Sequence, residues 1–84
     1  MVIEFLGIPR ERAGIPEIEV TAKTFGEALG ELSARCPGLS DLITARGLHP
    51  SIAANLNGDE FVTSLDTRLG ADDRLLILSA DAGG

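Results

Sequence analysis

The stretch Thr24-Phe25-Gly26-Glu27-Ala28-Leu29-Gly30-Glu31-Leu32-Ser33-Ala34-Arg35-Cys36 decides how the rest of this chain is arranged. Phe25, Ala28, Leu29, Leu32 and Cys36 recur at the i, i+3/i+4, i+7, i+11 spacing of one buried helical stripe. Thr24 and Glu27 have capping-box spacing: the Thr hydroxyl can accept from the N–H three residues on, and the Glu can reach back. Pro37-Gly38 stops the helix. Gly26 and Gly30 each cost about 1 kcal/mol relative to alanine, so packing must hold this helix together. An amphipathic helix needs a surface to pack on, and the flanking segments read as strands.

Before the helix, Val2 to Leu6 is apolar apart from Glu4. Ile3 and Phe5 face one way; Val2, Glu4 and Leu6 face the other. Gly7 to Gly14, with Pro9 inside and a glycine at its close, reads as a turn or long hairpin connection. Ile15 to Val20 reads as a second strand, at or near a sheet edge because of Pro16. After the helix, Ser40 to Arg46 reads as a short second helix, capped by Ser40 and ended by Gly47, with Leu39, Leu42 and Ile43 over a core edge. Ser51 to Leu56 is a third strand, Asn57-Gly58 a hairpin turn and Glu60 to Thr63 a short fourth strand. Asp66 to Asp73 is a polar crossover containing Leu69, and Arg74 to Ser79 is the last strand.

The order strand, strand, helix, strand, strand, strand predicts an α+β fold, with one main helix packed on one face of a small mixed sheet. The expected arrangement is the β-grasp (ubiquitin-like) one, with the first and last strands parallel and adjacent at the sheet centre. Residues 1–84 are expected to form a single domain ending in a tail, 79–84.

Composition narrows the partners. The 84 residues carry 7 Lys and Arg against 13 Asp and Glu, a net charge of −6. Such a chain repels nucleic acid, and no basic cluster offers phosphate contacts. A partner with a basic face is expected instead. No apolar run approaches the roughly 20 residues of a membrane span, and the start does not read as a signal peptide. The single cysteine, Cys36, excludes an internal disulfide and fits a reducing, cytoplasmic setting.

Few side chains offer chemistry. His49, the only histidine, sits beside Pro50 in a loop and reads as a surface residue. Cys36 belongs to the apolar stripe and reads as a small hydrophobe. Asp72-Asp73 read as a solvated turn, with too few ligands for a divalent metal. The last strand is more informative. With Leu75 and Ile77 toward the helix, Leu76 and Leu78 face away, on the side shared by Leu6. A sheet face carrying Leu6, Leu76 and Leu78 is too apolar for open water and predicts a docking patch. The chain then closes on Ala82-Gly83-Gly84. Two terminal glycines leave a carboxylate slim enough for a narrow channel, as suits a carboxylate that itself reacts.

Taken together, these residues resemble the sulfur-carrier family of the MoaD/ThiS type. The opening Phe5-Leu6-Gly7…Arg10-Glu11-Arg12-Ala13-Gly14 is similar to that family's F-x-x-x-R-E-x-x-G start, closest to the small subunit of molybdopterin synthase. The ending Leu69-Gly70-Ala71-Asp72-Asp73-Arg74-Leu75-Leu76-Ile77-Leu78…Ala82-Gly83-Gly84 is similar to its L-x-D-G-D-x-V-x-I-x-P-x-x-x-G-G end. Asp72 stands where the family has glycine, and Ser79-Ala80 replace its proline. The tail is nearer the A-x-A-G-G of some thiamine- and cysteine-pathway carriers.

The resemblance implies a non-catalytic carrier. Gly84 would be adenylated by a ubiquitin-activating-type enzyme, which uses the ATP, and converted to a thiocarboxylate; Gly83 and Ala82 would form the slim neck. No cofactor would be bound permanently. The second partner would be a sulfur-using synthase, such as the large subunit of molybdopterin synthase. Two other readings stand beside it: a ubiquitin-like modifier conjugated through Gly84, or a carrier for thiamine, cysteine or tRNA thiolation. A third is a β-grasp binding module with an inert tail.

Overall fold

A computed structural model describes residues 1–81 of the chain. Ala82, Gly83 and Gly84, the expected neck and reactive end, lie outside the described residues. The elements are β1 (Val2–Phe5), α1 (Ile8–Ala13), β2 (Glu17–Glu19), α2 (Phe25–Arg35), a 3-10 turn (Pro37–Leu39), β3 (Ile43–Thr44), β4 (Gly47–Leu48), β5 (Ile52–Leu56), β6 (Glu60–Phe61) and β7 (Arg74–Ser79). Five strands form one sheet in the order β2-β1-β7-β5-β6, and β3 and β4 form a separate hairpin. β7 runs parallel to β1, with Ile3 beside Leu75 and Phe5 beside Ile77, and antiparallel to β5. This is the β-grasp arrangement, with the first and last strands paired inside the sheet and β2 at its edge.

The alternation of each strand divides the sheet into two faces. Ile3, Phe5, Leu75, Ile77, Ala54 and Leu56 point inward and are buried. Against them α2 lays Phe25, Ala28, Leu29 and Leu32, all essentially inaccessible to solvent. Each large side chain buried this way stabilises the fold by about 1.5–3 kcal/mol.

The capping box forms, with one difference. Thr24 Oγ1 accepts from the Glu27 N–H at 3.2 Å, while Glu27 Oε1 accepts from Lys23 N–H at 3.1 Å, one residue before the cap. Two further N–H groups at the start of α2 find partners in the crossover loop: Phe25 N–H donates to Thr67 O and Gly26 N–H to Leu65 O, both at 2.9 Å. Gly26 is explained by this approach, since a Cβ there would lie 3.3 Å from both Cβ and O of Leu65.

Three expectations are corrected. Residues 7–14 are not simply a turn but carry the short helix α1. Pro9 falls in its first turn, where a missing N–H costs nothing, and Gly14 ends it in the left-handed conformation, donating to Arg10 O. The two residues read as turn punctuation are the start and stop of a helix. Second, Ser40–Arg46 is not a helix. The chain makes the 3-10 turn and then the β3–β4 hairpin, with Ile43 opposite Leu48 and Thr44 opposite Gly47. The β-branched pair Ile43-Thr44 suits extended backbone, and Gly47, at φ 148°, serves the hairpin instead of a helix end. Leu39, Leu42 and Ile43 are buried, as expected for a core edge. Third, β6 is only Glu60–Phe61, although Val62 N–H still donates to Ala54 O at 2.8 Å. The Asn57-Gly58 turn forms, both residues having positive φ, and Asp59 N–H donates to Leu56 O.

Gly38 is fixed by α1. A Cβ at Gly38 would collide with the backbone carbonyl oxygen of Arg12, and the same contact is stitched by Arg12 bonding to Asp41 at 2.7 Å. Gly38→Ala is therefore expected to destabilise the fold by about 1–3 kcal/mol, read as a lower urea midpoint with unchanged slope. A midpoint equal to wild type would show that the α1 contact is not tight.

Candidate functional site

β7 is the strand that leads toward the terminal glycines, and it is held from both sides as far as Ile77 and on the β5 side to its end. Leu6 N–H donates to Ile77 O at 2.9 Å, Ser79 pairs with Ile52, and Ala80 N–H donates to Ser51 O at 2.7 Å. Gly7, at φ 62°, turns the chain from β1 into α1 beside the Ser79 hydroxyl. Asp81, the last described residue, thus follows closely on this sheet-centred anchor.

The start of β7 is fixed by a polar clamp. Asp73 Oδ2 accepts from Gly70 N–H at 2.6 Å, and Asp73 Oδ1 accepts from Asn57 Nδ2 at 2.9 Å. Asn57 Oδ1 in turn accepts from Arg74 N–H at 2.8 Å. One carboxylate therefore joins the crossover turn to the β5–β6 turn. Asp73 is more than the solvated turn residue expected. Asp72 completes that turn without positive φ, so no left-handed residue is needed where the family has glycine. The Asn57 amide, followed by the Gly70 N–H, holds the Asp73 carboxyl below its ordinary value. Similarly, the Arg12 hydrogen bond holds Asp41 low. Burial pushes the Cys36 thiol up, against a smaller opposing pull from Arg35, which favours the inert thiol. His49 is exposed, with Nδ1 2.8 Å from Ser51 Oγ.

The outer sheet face carries the three leucines singled out by sequence, and they differ in what they present. Leu6 is 40% exposed, Leu76 is half-buried, and Leu78 is only 8% exposed. Leu78 therefore forms the floor of the patch and presents little of its own surface. Registers bring further residues to this face: Ala53 lies opposite Leu78, Asn55 opposite Leu76, and Phe61 opposite Asn55. Phe61 is 51% exposed. Sequence reading missed Asn55 and Phe61. The signal was available, because the Asn57-Gly58 turn sets the β5–β6 register and alternation along β5 sends Asn55 outward when Ala54 and Leu56 go in. Toward β2 the face turns acidic. Glu4 and Glu17 flank the Arg74 guanidinium at 3.3 and 3.8 Å, two carboxylates sharing one cation.

Among the described residues no group of His, Cys, Asp and Glu is placed to hold a metal, and no helix is long and apolar enough to cross a membrane.

The ThiS family model matches residues 3–84. The chain belongs to the ThiS family, one of small ubiquitin-fold sulfur-carrier and modifier proteins. Its members are small carriers, broadly non-catalytic, that work with activating enzymes and sulfur-transfer partners. Among solved structures, the chain is similar to one in the crystal structure of the Amycolatopsis orientalis BexX/CysO complex. Identity there is 28%, the match covers 99% of this chain and 98% of that one, and the TM-score is 0.77. It is also similar to small archaeal modifier protein 1 from Haloferax volcanii, at 25% identity, 99% and 97% coverage and a TM-score of 0.74. A putative molybdopterin converting factor subunit 1 from Pyrococcus furiosus shares the fold at 18% identity, 93% coverage of each chain and a TM-score of 0.73. No curated protein matches the sequence.

The clamp has a pH signature. Because the folded-state pKa of Asp73 is depressed, its stabilising contribution is present above the ordinary aspartate value of about 3.9. It is lost as pH falls through the lower folded value. Asp73→Ala is expected to lower the melting temperature by a few degrees at pH 7 and by progressively less toward pH 2, as measured by calorimetry. A deficit independent of pH would contradict the ionised clamp.

Proposed function

We propose that this chain is a sulfur carrier whose reactive group is the Gly84 carboxylate. The observation that carries the reading is that the family match runs through Gly84 itself, behind a strand anchored at the sheet centre. A carboxylate is a poor acyl donor because its leaving group is bad. An adenylating enzyme of the ubiquitin-activating type overcomes this: the carboxylate attacks the α-phosphorus of ATP, pyrophosphate leaves, and Gly84 becomes an acyl-adenylate. Sulfide, or a persulfide followed by thiol cleavage, displaces AMP and leaves the thiocarboxylate. ATP belongs to the enzyme, and the carrier needs no resident cofactor. Gly83 and Ala82 give the end a neck that fits a narrow channel. The fold supplies docking through Leu6 and Leu76 above Leu78, and no acid or base is asked of it.

The product favoured by the opening Phe5…Arg10-Glu11 motif is molybdopterin, made with a synthase large subunit in the cytoplasm. The higher identity to a chain of the BexX/CysO complex supports the same chemistry serving another acceptor. A second reading, attachment of Gly84 to lysine as a protein modifier, is supported by the likeness to small archaeal modifier protein 1.

Carrier-dependent ATP–pyrophosphate exchange with the adenylating enzyme of the same organism tests the proposal. Wild type is expected to support exchange and the Gly84 deletion none. Leu76→Glu, folded by circular dichroism, should raise the carrier KM about tenfold or more, as expected for a charge introduced into a desolvated hot spot. Equal exchange from the deletion would overturn the proposal.

A further inference from the structure

Asn55 stands out on the outer face. It lies on β5 between Leu76 of β7 and Phe61 of β6, with Ala53 two residues away on the same side. Its Oδ1 is buried and has no hydrogen-bond partner, the one such side-chain atom among the described residues. A buried acceptor without a donor is destabilising, and leucine, of the same shape, would avoid that cost at this position. The free chain therefore carries a polar group that its own packing does not use, at the centre of the patch where Leu6, Leu76 and Phe61 are open or half-open.

The surroundings say what donor would suit it. The chain has net charge −6. Beside Leu76 in the same cross-strand row stands Glu4, then Glu17, with only the Arg74 guanidinium between the two carboxylates. A cation approaching this face is attracted, and an N–H donor on it meets an acceptor already stripped of water.

We infer that Asn55 is a specificity-determining residue of the docking face, accepting a hydrogen bond from an arginine or lysine that the adenylating partner inserts between Leu76 and Phe61. The inference rests on the docking reading above and adds the chemistry of the partner's central residue. The amide rotates about its last torsion to meet the donor, and apolar contacts around it exclude water. A partner presenting an acid there is disfavoured, because it meets Glu4 and Glu17 along the same row.

Titration calorimetry of the intact chain with its adenylating enzyme tests this, with three variants each checked for folding by circular dichroism. Asn55→Leu is expected to leave the free chain as stable as wild type or more so, yet weaken binding about tenfold or more. Asn55→Asp, which keeps an acceptor, is expected to bind within about threefold of wild type, with a steeper loss on adding salt. Leu76→Glu reports on the face itself. Binding unchanged by Asn55→Leu but lost in Leu76→Glu would overturn the role of Asn55 and keep the face. Equal loss in Asn55→Leu and Asn55→Asp would overturn the cationic donor. Binding unchanged in all three would overturn both the inference and the docking reading beneath it.

Discussion

The parallel pairing of β1 with β7 is the constraint on which the rest depends. It joins residues 2–5 to residues 74–77, so every other element must be accommodated between strands that end side by side. Parallel neighbours need a crossover, and here α2 and the loops around it are that crossover. The pairing also puts the most apolar strands where both edges have neighbours, and it aligns Ile3, Phe5, Leu75 and Ile77 under α2. Because the pairing is so non-local, loop-closure entropy must be met by burial, which explains a core that reaches from α2 to Leu39 and Ile43 beyond the sheet. Each strand helps to fix the other's register, and β7 is held as well by its five-pair register with β5.

The same pairing anchors the last described strand of the chain. A strand in the middle of a sheet cannot drift, and β7 is bonded to β1 and Leu6 as far as Ile77 on one side and to β5 and Ser51 as far as Ala80 on the other. The Asp73 clamp fixes its beginning. Both ends of the last described strand are therefore fixed by the fold. The outer face, with Leu6, Leu76 and Phe61 around Asn55, lies on or beside the same strands.

Much of the architecture was legible because its signals are periodic. The α2 stripe, the capping pair Thr24 and Glu27, the alternation in β5 and β7 and the Asn57-Gly58 turn each have a single structural meaning at their spacing. Local punctuation failed where one residue serves two purposes. Pro9 and Gly14 mark turns as well as they mark the ends of a short helix. Gly47 closes a hairpin in the structure although it could equally have ended a helix. Ile43-Thr44 buries the same side chains either way, so burial could not choose between helix and hairpin. At the candidate site, Leu6, Leu76 and Leu78 share the outer face as alternation implied, but alternation says nothing of depth, and Leu78 is nearly covered. Asn55 and Phe61 required the pairing register, which is a property of two strands and not of one. Asp73 required knowing that two distant turns meet. The residues of the reactive end, Ala82, Gly83 and Gly84, lie outside the described residues, so their role rests on sequence and family.

The central claim is that Gly84 carries sulfur as a thiocarboxylate. Its most direct test is the intact mass of the chain after incubation with its adenylating enzyme, ATP and a sulfur source. The account predicts a gain matching one oxygen replaced by sulfur, located at Gly84 by fragmentation and dependent on ATP. A chain whose mass stays unchanged, while a known carrier is thiolated in the same mixture, would contradict it.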